Sequence, residues 1–329
     1  MNYKIFKKDL YKIYIKIFIS LITYGYIFYR LYNFYSESTI NISTFFDWNL
    51  LYFLILAIFL MPVNWGIEAI KWKNLVKNIE KIDYYTSLKA VFAGITFAIF
   101  TPNRIGEVFG RSYIFKASDR IKGILATTTG SLAQLSVTIF IGFLSVIILV
   151  FTNNNPLIFN SNPNYLIVSI LFSGFLLIII FFSFLKFNRF IIFINNLKFL
   201  NKSKYFSKFK PYFEISKEYS TNELFAVWLF SILRYLIFST QYYLILRFCN
   251  VNLTCFEAYI GISLTYLVIA FIPSIVIAEI GIRGSVAVKL IGLFSVNDGG
   301  IIMASFIIWI INVAIPSIIG SFIFQKSKF

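Results

Sequence analysis

Two short stretches of this chain place opposite charges four residues apart inside apolar sequence. Residues 105–111 read IGEVFGR, with Glu107 and Arg111, and residues 277–283 read IAEIGIR, with Glu279 and Arg283. Pro102 precedes the first motif and Pro273 the second, each at the end of an apolar run. This spacing sets acid and base on one helix face. Ionisable groups at membrane depth are costly and mark substrate or ion pathways. Two readings stand side by side. In one, the motifs are local ion pairs that keep each segment neutral. In the other, the arginines line a polar cavity and hold an anionic headgroup. The planar guanidinium makes paired hydrogen bonds to phosphate and stays protonated. The start of the helix carrying each motif adds free amides and a positive dipole end. The glutamates then orient the arginines or bind a proton.

Among the other charged residues, Glu68, Arg104 and Arg234 also fall at membrane depth, with Lys289 nearer the surface. Arg234 sits in the middle of a long apolar run, and Gln241 shares its helix face; Glu279 or the ligand is its expected partner. Glu68, in NWGIEAIKW, is expected to pair with Lys71 and to be structural. Trp65 and Trp72 read as anchors at the membrane–water interface.

The rest of the composition excludes much chemistry. There is no histidine, which removes the commonest general base and metal ligand. Cys249 and Cys255 match no zinc or redox spacing and read as apolar filler. No phosphate-binding glycine loop is present, so neither a metal, a cofactor nor direct use of ATP is implied. The net charge of +16 sits between apolar runs, which favours an anionic membrane surface over nucleic acid.

The elements that must position these residues are membrane helices. The 329 residues are 59% hydrophobic and 13% charged, about half the charged fraction of a soluble domain. Six runs are long enough to span: 11–32, 50–71, 121–150, 164–185, 223–247 and 299–324. The first lies behind a lysine-rich start without a small-residue cleavage site and reads as a retained span. Lys and Arg crowd the N-terminus, 71–81, 116–122, 186–222 and the C-terminus, whereas 31–49, 151–163, 248–282 and 290–325 carry none. The positive-inside rule therefore places both termini in the cytoplasm.

Two stretches remain, 86–116 and 256–292. Each is a pair of short helices around its Pro and Glu–Arg motif, and charge puts both ends of each on one side, opposite for the two. They read as re-entrant hairpins entering from opposite faces, the mark of an inverted-topology repeat. The chain is then a single all-α polytopic transmembrane domain over 1–329, with repeat one at about 50–150 and repeat two at about 223–325. Eight ordinary spans are the alternative. The stretch 186–222, Lys-rich with Phe and Tyr interleaved, reads as a basic cytoplasmic segment on anionic lipid.

The stretch TPNRIGEVFGRSYIFKAS, 101–118, resembles the "TPGRxGE…R" signature of the flippase-like integral membrane family. That family includes the transmembrane region of lysylphosphatidylglycerol synthase. IPSIVIAEIGIRGSVAV, 272–288, is similar to its "lP…GGlGvRE" segment, with Ile277 and Ala278 in place of the glycine pair and Gly284 in place of the acid. WGIEAIKWKNLV, 65–76, resembles its "RW" helix end, with Lys71 for the arginine. The resemblance implies translocation of an anionic or modified lipid, a phospholipid or a polyprenyl-phosphate-linked molecule, in a bacterial cytoplasmic membrane. Arg111 and Arg283 would contact phosphate, with Glu107, Glu279, Arg104 and Arg234 beside them. The alternative it implies is a non-transporting subunit of a lipid or glycan modifying transferase system. Larger relatives carry a soluble aminoacyl-transferase domain after the membrane part. This chain stops at Phe329, so enzymatic lipid synthesis is not expected of it.

Overall fold

Side-chain caps written into the sequence start several of the helices. Ser220 and Glu223 form a capping box before Thr221–Phe248, and Thr254 and Glu257 form another before Cys255–Phe271. Asp83 accepts from the Thr86 amide and Asn297 from the Gly300 amide at two further starts. The computed structural model describes residues 46–99, 101, 104–116, 118–151, 174, 219–272 and 276–326. The runs 11–32 and 164–185, the basic stretch 186–218, Pro102 and Pro273 lie outside the described residues.

In chain order the helices are α1 (Leu51–Val76), α2 (Tyr84–Ala98), α3 (Ile105–Ser112), α4 (Arg120–Phe151), α5 (Thr221–Phe248), α6 (Cys255–Phe271) and α7 (Val276–Ile291). Then α8 (Asp298–Trp309) passes through a π-helical turn (Ile310–Ala314) into α9 (Ile315–Lys326). No strand occurs among the described residues. Four helical stretches are long and apolar enough to cross a membrane: Trp48–Val76, Arg120–Val150, Thr221–Phe248 and Asp298–Gln325. They match four of the six runs read from the sequence, and the protein is an all-α polytopic membrane protein. At 8 residues α3 reaches only about 12 Å and cannot span by itself.

The centre of the molecule is α1 against α5. Around it, α2 folds back on α3 and packs on α9, while α6 folds back on α7 and packs on α4. Further contacts join α3 to α4 and α7 to α8. Close approach inside the first hairpin depends on missing side chains: a Cβ on Gly94 would lie 2.7 Å from Arg111 Cγ, and one on Gly110 would lie 2.8 Å from Gly94 Cα. The π-turn precedes Pro316, whose ring removes the amide that would bond the Asn312 carbonyl four residues back.

Two expectations are corrected here. Trp65 and Trp72 are not interface anchors: both are buried, because α1 is enclosed by α2, α4 and α5 where the tryptophans sit. The Trp72 indole donates to Thr127 Oγ1 on α4 at 2.9 Å. Lys71 is not a loop charge either, since α1 continues to Val76 and buries it; Lys73, Lys77 and Lys81 carry the charge signal of that region. Cys249 and Cys255 are both free thiols, the first buried and the second exposed.

Candidate functional site

Glu68 is the hub of a buried charge network. It sits on α1, 3% exposed, and its two oxygens take three cations. Oε1 accepts from Arg111 Nη1 of α3 at 2.7 Å. Oε2 accepts from Arg234 Nη1 of α5 at 2.7 Å and lies 2.7 Å from Lys71 Nζ, one turn along α1. Lys71 also donates to the Gly130 carbonyl of α4 at 3.4 Å and to Ser231 Oγ of α5 at 3.5 Å. Arg111 gives its other terminal nitrogen to Glu107, four residues back on the same face, and Glu107 also meets Arg104 Nη2 at 3.3 Å. One carboxylate thus ties α1 to α3 and α5. Each of the four cations touches a carboxylate, but they share only two, Glu68 and Glu107.

The expected Glu107–Arg111 and Glu68–Lys71 pairs are both present. The described partners of Arg234 are Glu68 and Asn64, which the sequence reading does not pair with it. Gln241 does share its face, donating to the Ala57 carbonyl of α1 at 2.8 Å. Glu279 falls in the first turn of α7, and its side chain lies outside the described residues.

Above the network lies a cavity of about 220 Å³. Arg104, Arg234 and Arg283 line it, together with Asn64, Trp65, Gln134, Tyr266, Trp309 and Asn312, and no carboxylate is among its described lining residues. Asn64, Gln134, Arg234 and Asn312 each fall near the midpoint of a different long span. Arg111 does not line the cavity; at 2% exposed, it is spent on the two glutamates beneath. Arg104 reaches the cavity from a left-handed backbone, φ 58°, at the residue before α3. Left-handed backbone is uncommon for a side chain of this size and carries about 1–2 kcal/mol of strain. Its helix start is capped instead by Thr101 Oγ1, which accepts from the Gly106 amide at 2.6 Å.

A polar relay crosses the cavity floor. Arg234 Nε donates to Asn64 Oδ1 at 3.0 Å, and Asn64 Nδ2 donates to Asn312 Oδ1 in the π-turn at 3.0 Å. The Arg234 guanidinium also lies 4.6 Å over the Trp65 ring. On the far wall Arg283 Nη1 donates to the Tyr266 hydroxyl at 3.3 Å. The indole N–H groups of Trp65 and Trp309 are buried without an acceptor, and Gln134 Oε1 is buried without a donor.

Asn64, Gln134, Tyr266, Trp309 and Asn312 were not singled out from the sequence. A signal for three of them exists in it: an Asn or Gln in mid-span is nearly as unusual in lipid as a charge, and usually bonds across helices.

Fold and cavity together define a polytopic membrane protein with a cation-lined site at the middle of its spans. The sequence matches the family model for the lysylphosphatidylglycerol synthase TM region over residues 13–320, and the chain belongs to that family. A search of curated proteins finds no match for it.

Proposed function

We propose that this protein binds the anionic headgroup of a membrane lipid in the cavity and carries it across the bilayer, leaving the tails in the lipid. One observation carries the reading: three arginines line a mid-span cavity whose described lining holds no carboxylate. A cavity wall with three guanidiniums and no described carboxylate favours an anion, and arginine suits phosphate. Arg104, Arg234 and Arg283 are the headgroup ligands. Arg111, Glu107 and Glu68 position them from below. The family's description names a phospholipid synthase's membrane region, which supports a lipid as the ligand.

The alternating-access element we propose is an inverted repeat, α1–α4 against α5–α9. Support comes from packing that recurs in both halves: each hairpin packs on the last long span of the other half, α2 on α9 and α6 on α4. Each of these contacts has a glycine on the long span, Gly320 under Phe92 and Thr96, and Gly142 under Leu267. The charge pattern supports cytoplasmic termini, and the family supports a bacterial inner membrane.

The test is movement of fluorescent lipids in proteoliposomes. The reading expects an anionic lipid to move faster with protein than without, and faster than a zwitterionic lipid. Absence of movement for every headgroup tried, with stable co-purification of a transferase, would replace it with an accessory-subunit role.

A further inference from the structure

Charge balance in the network bears on which anion is held. Lys71, Arg104, Arg111 and Arg234 face Glu68 and Glu107, an excess of two positive charges among the described residues. By sequence, Glu279 and Arg283 offset one another on α7. An excess of two charges enclosed by four apolar spans is expensive, and the cavity lined by Arg104 and Arg234 is the open space beside it. The hydrogen-bonding inventory points the same way. Three guanidiniums line the space, so the wall is rich in donors.

We propose that the ligand is a phosphomonoester, a terminal phosphate with two charges, and not the phosphodiester of the commoner phospholipids. This rests on the headgroup reading above. A phosphodiester brings one charge and two free oxygens. A phosphomonoester brings two charges and three free oxygens, matching the excess charge and giving one oxygen for each of the three lining guanidiniums. A volume of about 220 Å³ holds a phosphate with part of its carrier. The carrier is a lipid whose last group is phosphate: a phosphatidate or a polyprenyl monophosphate.

The experiment measures binding to the full chain in neutral detergent at about pH 8, where a phosphomonoester is doubly charged. The probes share acyl chains: phosphatidate, its methyl ester phosphatidylmethanol, and uncharged diacylglycerol, with soluble glycerol 3-phosphate beside them. Phosphatidate is expected to bind at least about ten-fold tighter than phosphatidylmethanol. Arg283→Gln and Arg104→Gln, in protein that elutes and melts like wild type, are each expected to shrink that ratio. Arg283→Lys, which keeps the charge and loses only the planar fork, is expected to retain part of the ratio, which a packing defect at that position would not do.

Equal binding of phosphatidate and phosphatidylmethanol, both above diacylglycerol, overturns the phosphomonoester while leaving the anionic headgroup reading intact. Equal binding of all three lipids overturns both. Glycerol 3-phosphate binding as tightly as phosphatidate keeps the dianion and removes the lipid.

Discussion

Arg234 Nη1 on α5 lies 2.7 Å from Glu68 Oε2 on α1, at the contact between the two most closely packed spans. The same carboxylate holds Arg111 and Lys71, so removing its charge leaves Lys71 and Arg234 without their carboxylate and Arg111 with Glu107 alone. Glu68→Gln should destabilise the protein by about 3–5 kcal/mol, read as a lowered midpoint in thermal or denaturant unfolding. The exposed pair of Lys77 with Glu223 is the control: Lys77→Ala should shift stability by no more than about 1 kcal/mol. Comparable losses from the two would mean that the hub is not the fold's electrostatic centre.

Arg104 should trade stability for function. Its backbone is left-handed, a conformation glycine adopts without strain. Arg104→Gly should therefore keep or raise stability, by up to about 1 kcal/mol, while lipid movement falls. Undiminished movement in that variant would remove Arg104 from the headgroup site.

Gly94 and Gly284 should respond in opposite directions to the same change. An added methyl at Gly94 would meet Arg111 Cγ at 2.7 Å, whereas at Gly284 the nearest atom, Ile302 Cγ2, is 3.9 Å away. Gly94→Ala is expected to cost about 1–3 kcal/mol by forcing α2 from α3. Gly284→Ala should gain about 0.5–1 kcal/mol through helix propensity. Stability measured for both in one detergent checks the sign.

Thr254 caps α6 through the Glu257 amide at 3.3 Å, and Glu257 returns the bond to the Thr254 amide at 2.9 Å. Thr254→Ala should cost about 1 kcal/mol without changing which lipid is bound. A change in headgroup preference there would show that the second hairpin's entry helps shape the site.

Local features were legible in the sequence. The positions of four spans follow from apolar length, although α1 runs on past 71 to Val76, and Glu107–Arg111 and Glu68–Lys71 follow from spacing on one helix face. The hub was not legible. Glu68 meets Arg111 and Arg234 across 43 and 166 residues of chain, and no periodicity records a contact between helices. Trp65 and Trp72 misled for a similar reason. Tryptophan near a span's end usually marks the interface, but α1 is surrounded there by other helices, so the indoles turn into protein. The arginine roles were split by geometry alone: Arg111 and Arg283 hold matching places in their motifs, yet one is locked under the cavity and the other lines it.

The central claim is that the cavity arginines read a headgroup that the protein moves. Translocation of a fluorescent anionic lipid in proteoliposomes, wild type beside Arg104→Gln/Arg283→Gln, tests it most directly. Each lost charge-assisted contact is worth about 1.5–3 kcal/mol, so the double variant should move the lipid at least about ten-fold more slowly while staying folded. A folded double variant that moves it at the wild-type rate would contradict the claim.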